Sequence, residues 1–183
     1  MFILDHSSLL LAAPRNVFTA IGLPLVVGMY SGSYTPKAAN GKWYNSLRFP
    51  PFRAYNSVFP FAWGGLYIAM GYASHLAVRA YDSAFLPEDL NATSTGIALY
   101  YGQLALNVIW SPLFFVKKTP SFALVDATLL TATTMWMTKV LHKPTGGATT
   151  YFLLPYCAWL SYALYLNAGV VFLNKDRNVP KDD

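Results

Sequence analysis

Apolar residues gather into five stretches along the chain, at 16–35, 57–80, 95–116, 121–141 and 149–173, separated by short links rich in turn-forming and polar residues. Each stretch is a continuous run rather than an alternation of apolar and polar positions, which argues for helices over strands. A bilayer core of roughly 30 Å takes about 20 helical residues per crossing. Backbone inside lipid must satisfy its own hydrogen bonds, so only helices or a closed barrel can cross, and continuous runs select helices. The pattern therefore predicts an all-α membrane protein, one domain over 1–183 built as a bundle of five transmembrane helices. With so little chain outside the spans, the chemistry has to sit inside the bundle or at its rim.

The individual spans carry further signals. Pro24, Gly22, Gly28, Gly32, Ser31 and Ser33 leave part of the first span with little side-chain volume, which either allows close helix approach or leaves space for a ligand. The link Thr35–Ser57 mixes Trp43, Tyr44 and Tyr55 with Arg48 and Arg53, the composition of an interfacial belt. Its Pro50-Pro51 pair stiffens the backbone against helix and predicts a rigid cap over one end of the bundle. Asn56 or Ser57 is expected to cap the second span, in which Trp63 beside Gly64 and Gly65 reads as a pocket wall. In the third span, expected to be capped by Thr93 or Ser94, Gln103 and Asn107 share one face. Ala98 and Gly102 there form a small-xxx-small pair, the spacing that permits close helix pairing. Thr119-Pro120 opens the fourth span in the favoured order of cap then proline. Asp126 lies inside that span, where it either faces a polar cavity or partner or sits near enough to the interface to cap or snorkel. The fifth span contains Pro155, expected to kink it, with Cys157, Trp159 and Asn167.

Charge refines the topology more than the chemistry. The sequence is 55% hydrophobic and 11% charged, with a net charge of +5. The first link, the third link and the C-terminus hold Lys37, Lys42, Arg48, Arg53, Lys117, Lys118, Lys175, Arg177 and Lys181. The opposite face holds only Arg15, Arg79, Lys139 and Lys143. That asymmetry is the positive-inside pattern, placing the first link and the C-terminus on the cytosolic side, and it makes no case for nucleic acid. Met1–Ala13 has an apolar patch at Leu9–Ala13 without a basic leader or cleavage site, so no removable signal or transit peptide is expected. Cys157 has no partner within the chain and reads as a small buried residue. His6, His75 and His142 fall in three regions without metal-ligand spacing, and His75, near Arg79, reads as an interfacial polar residue. Neither a G-x-S-x-G elbow, a phosphate-cradling loop nor a carboxylate pair is present, so no catalytic residue and no metal ligand is assigned.

Five runs carry a resemblance: WYNSLRFP at 43–50, WGGLYIAMGYAS at 63–74, GQLALNVIWSPLFF at 102–115, ALVD at 123–126 and LPYCAWLSYALYLN at 154–167. In order and near-fixed spacing they resemble the translocator protein family, also called tryptophan-rich sensory proteins or peripheral benzodiazepine receptors. The resemblance implies a five-helix bundle, usually dimeric, with a pocket between helices that binds porphyrins, sterols or other lipids, and benzodiazepine-type ligands. It places Trp63, Trp110 and Trp159 as pocket aromatics and Asn107, Asp126 and Asn167 as buried polar positions. Flat aromatic walls suit a tetrapyrrole plane, and a few polar groups would fix its orientation in an apolar chamber. Taken alone, each tryptophan reads equally as bundle packing or an interface anchor.

The chain also departs from the family. Where many members have a Pro-Ser-Trp-x-Pro-Pro loop, it has Pro50-Pro51-Phe52-Arg53-Ala54-Tyr55. The fourth-helix tryptophan four residues before the aspartate is Phe122, and the tyrosine pair of the animal cholesterol pattern aligns with Ala168 and Gly169. Three functions remain open on the sequence. The first is a receptor or carrier for porphyrins such as protoporphyrin IX or heme, needing no cofactor. The second is light-dependent porphyrin breakdown, in which Trp63 and Trp159 match the implicated tryptophans. The third is a ligand-independent scaffold. A homodimer through the third helix is expected, in the mitochondrial outer membrane or a bacterial membrane.

Overall fold

The structure is a computed structural model, and it describes residues 6–177. Lys181 of the basic tail and the first residues of the N-terminal stretch lie outside the described residues. Helix α1 spans His6–Arg15, α2 Val17–Gly32, α3 Thr35–Ala39, α4 Lys42–Ser46, α5 Val58–Asp82, α6 Pro87–Ser111, α7 Pro120–His142 and α8 Ala148–Leu173. A π-helical turn, Pro112–Val116, extends α6. No strand occurs among the described residues. Among the described residues three helical runs are long and apolar enough to cross a membrane: Val17–Ala39, Pro87–Val116 and Ala148–Leu173. Helices α5 and α7, at 25 and 23 residues, match them in length.

Around the bundle the order is α2, α5, α8, α7, α6, and contacts of α6 with both α5 and α2 close the ring. Lipid tails supply no hydrophobic drive between helices, so van der Waals fit and hydrogen bonding must hold them together. The fit is tight where α2 crosses α5. A Cβ on Gly71 would run into the backbone of Ala20 and Ile21, so only glycine allows that approach. Away from the loop-capped end, Met70, Val78, Ile97, Tyr100, Met137, Leu141 and Leu153 form a dense core from four helices. Polar residues in α7 are accommodated locally: the hydroxyls of Thr128, Thr131, Thr134 and Thr138 each donate to the carbonyl four residues back, at 2.7–2.8 Å.

Element boundaries differ from the sequence reading in three places. Helix α6 begins at Pro87, eight residues before the expected 95, and Thr93 lies buried inside it with its hydroxyl donating to Asp89 O at 2.7 Å. The physical reason is a start signal further upstream. Extended Leu86 is followed by proline at the first helical position, and Glu88 and Asp89 in the first turn complement the helix dipole. Ser57 does stand at the start of α5, yet its side chain makes no capping bond. The long link is not uniformly irregular, since α3 and α4 fold within it before the chain extends through Leu47.

Helix α1 was not anticipated, because Pro14 and the short apolar patch gave no periodic signal. It is tied to the bundle at several points. Leu11 is buried in the core, and Tyr101 Oη donates to Leu10 O at 2.8 Å. His75 Nδ1 lies 2.9 Å from Pro14 O, and Arg15 makes a two-point ion pair with Asp82 at 3.0 and 2.6 Å.

Candidate functional site

The long link between α2 and α5 shapes one end of the bundle through bonds to α8. Asn174 clamps Arg48, accepting from its N–H at 3.0 Å and donating to its carbonyl at 2.9 Å. Pro50 packs so closely on α8 that a Cβ at Gly169 would overlap its ring. Phe52 then adopts φ of 61°, a left-handed conformation that costs a non-glycine residue about 1–2 kcal/mol. Two tyrosines of α8 hold the chain there. Tyr162 Oη donates to Phe52 O at 3.0 Å and accepts from Ala54 N at 2.7 Å, while Tyr165 Oη donates to Pro51 O at 3.0 Å. The turn leaves Phe52 90% exposed and brings Arg53 into the wall of the cavity.

Beneath this cap lies a cavity of about 740 Å³, between α2, α5, α6, α7 and α8. Trp63 stacks on Tyr67 with centroids 5.6 Å apart, and Trp110 stacks on Phe114 at 5.1 Å and 19° between planes. These two aromatic pairs form flat walls on α5 and on α6 with its π-helical extension. Across the floor runs a buried hydrogen-bond chain. Tyr67 Oη donates to Asn107 Oδ1 at 2.8 Å, Asn107 Nδ2 to Tyr156 Oη at 3.1 Å, and Tyr156 Oη to Gln103 Oε1 at 2.8 Å. Asn167 is similarly engaged, accepting from Trp110 Nε1 and donating to Pro120 O, both at 3.0 Å.

Of the six residues singled out from sequence, Trp63, Asn107, Trp110 and Asn167 line this cavity and Trp159 and Asp126 do not. Trp159 sits behind Phe59, a lining residue, with ring centroids 5.6 Å apart. Asp126 is buried, and its Oδ2 has no hydrogen-bond partner among the described residues. Phe122, aligned with the family's tryptophan, is 69% exposed and faces away. Tyr67 and Phe114 escaped the sequence reading, although each stands four residues after a singled-out tryptophan and hence on its face. Arg53 was read only as an interfacial cation. Tyr44 also lines the cavity, and burial pushes its hydroxyl above the ordinary value, with Arg53 opposing the shift.

Apolar helices of membrane-crossing length around an aromatic chamber with a few fixed polar groups define an all-helical membrane protein with an interhelical cavity. Residues 20–173 match the family model described as TspO/MBR, and the chain belongs to that family. It is 40% identical to the translocator protein homolog of Schizosaccharomyces pombe over 161 residues, covering 87% of this chain and 93% of the relative. The translocator protein of Ovis aries is 35% identical over 150 residues, 81% of this chain and 85% of that one. The tryptophan-rich protein TspO of Chlorobaculum tepidum is 34% identical over 154 residues, 84% and 92% of the two chains.

Proposed function

We propose that this chain crosses the membrane five times and binds tetrapyrroles, protoporphyrin IX or heme, in the capped cavity as a receptor or carrier. The observation that carries the reading is the pair of stacked aromatic walls facing a chamber of about 740 Å³, within the range of small-molecule sites. Sterols and other lipids are the alternative occupants. Helices α5 and α7 complete the five crossings, having the length and lying between apolar neighbours in the ring. The basic first link, third link and tail sit at one end, where Arg177 Nη1 donates to Ser46 O and Asn167 Nδ2 to Pro120 O. That arrangement supports a cytosolic C-terminus, and the membrane we favour is the mitochondrial outer membrane, with a bacterial membrane as the alternative.

Quenching of tryptophan fluorescence by protoporphyrin IX tests the reading. Trp63→Phe and Trp110→Phe should each weaken binding by about 1 kcal/mol, the scale of an aromatic contact beyond its area. Trp159→Phe should weaken it less, because that indole packs on the lining residue Phe59 and is not itself part of the lining. Unchanged affinity in both lining variants removes the tetrapyrrole from this chamber. Light-dependent breakdown is the second reading, favoured by Trp63 in the wall, and loss of bound porphyrin only under illumination would select it.

A further inference from the structure

We propose that Arg53 is the anion anchor of the cavity, holding the carboxylate or phosphate head of an amphipathic ligand whose apolar body fills the chamber. The proposal rests on the cavity being a ligand site and narrows that site's ligand class to acidic amphiphiles.

Among the described residues that line the cavity Arg53 is the only charged side chain. Its neighbours leave that charge uncompensated. Its Nη2 donates to Asn56 Oδ1 at 2.6 Å and to Tyr44 Oη at 3.2 Å, and both acceptors are neutral. The guanidinium carbon lies 3.8 Å from the centroid of the Phe49 ring and 5.3 Å from that of Tyr44, so aromatic faces replace water on one side. The Tyr44 phenol is neutral at ordinary pH, and burial pushes it further up, so it supplies an acceptor without a countercharge. No carboxylate pairs with Arg53 among the described residues.

A half-buried guanidinium has five donors in a planar fork, and among the described residues only Nη2 is engaged here. Such a fork matches a carboxylate or phosphate in two-point geometry. The backbone conformation that delivers it is itself costly, since Phe52 is held left-handed by the Tyr162 and Tyr165 hydroxyls. Helix α5 starts five residues on, without an acidic residue in its first turn, which keeps the local potential positive. The opposite walls are aromatic and aliphatic, as an apolar body requires.

The test uses the full chain in uncharged detergent at neutral pH, with two acid and neutral probe pairs. Protoporphyrin IX and its dimethyl ester are followed by tryptophan quenching, and cholesteryl hemisuccinate and cholesterol by thermal stabilisation. In wild type the porphyrin acid should bind about tenfold tighter than the ester, the low end for hydrogen bonds to a charged group. Arg53→Gln should abolish that preference, read as the ratio of acid to ester affinity within each variant, and Arg53→Lys should retain part of it. Equal affinity of acid and ester in wild type, or a preference that survives Arg53→Gln, overturns the anchor while leaving the tetrapyrrole site standing. Should neither porphyrin bind while the hemisuccinate stabilises more than cholesterol in an Arg53-dependent way, the tetrapyrrole reading falls and the anchor stands. Absence of an acid preference in both pairs, with no Arg53-dependent stabilisation by phosphatidylglycerol, overturns the anchor. Phosphatidylglycerol added to the same micelles separates the sources of the anion: Arg53-dependent stabilisation by it, without a response to the hemisuccinate, assigns the head to a lipid phosphate.

Discussion

Asn107 and Asp126 are both buried polar side chains inside helices, but their surroundings differ in a way that sets opposite mutational outcomes. Asn107 bonds Tyr67 and Tyr156 at once, so Asn107→Leu strands the Tyr67 hydroxyl and leaves that of Tyr156 with Gln103 alone. The expected loss is about 1–3 kcal/mol of stability, read from thermal denaturation in detergent. Asp126 has a buried oxygen, Oδ2, with no partner among the described residues, so no hydrogen bond is lost there. Asp126→Leu should therefore leave thermal stability unchanged or raise it, and a loss as large as that of Asn107→Leu would show that the carboxylate is bonded. From sequence the two looked alike, since a helical position gives depth but not the partner across the bundle. Gly169 is a third such case. Read alone it marked only the absence of a tyrosine pair, whereas in the fold it makes room for Pro50. Gly169→Tyr should push the cap off α8 and weaken porphyrin binding, and an unaltered affinity would show that the cap closes without that contact.

At the scale of elements, the long helices were legible because an apolar run of membrane length is a strong signal, and their ends were less so. The true start of α6 was written in Leu86-Pro87-Glu88-Asp89, but those polar residues read as a link because the apolar run begins later. Helix α1 was missed because its support is tertiary, from Asp82, His75 and Tyr101, residues distant in sequence. Site residues on regular helices were readable by spacing. Arg53 was not, because its direction depends on one left-handed residue fixed by hydroxyls from α8, more than a hundred positions away. That dependence has a measurable consequence. Tyr162→Phe removes both bonds at the Phe52–Ala54 turn, each worth about 1 kcal/mol. Trypsin should then cut faster at Arg53, with a smaller change at Arg79 inside α5, and equal rates at both sites would mean the turn needs no such support.

On the scale of the whole molecule, one end of the bundle is closed by the cap and the other by ion pairs, Arg15 with Asp82 and Lys143 with Glu88. Both pairs are exposed, and the median worth of such pairs is only about 0–1 kcal/mol, so packing must carry the far end. What remains is the outer surface of α6. Ala98 and Gly102 lie exposed there, and a Cβ added at Gly102 meets nothing within 4 Å. The small-xxx-small strip is therefore not an internal packing face of this subunit. Two copies meeting along it could bring their backbones close, which is the attraction available between helices in lipid. We expect a homodimer through α6, and Gly102→Leu tests it cleanly because the substitution disturbs no contact within the subunit. Native mass measurement in mild detergent should show dimer for wild type and monomer for the variant, with porphyrin affinity equal in both, since Gly102 lies outside the cavity lining. A monomeric wild type in native-like bilayers, or a Gly102→Leu variant that dimerises as well, would assign the strip to lipid contact instead.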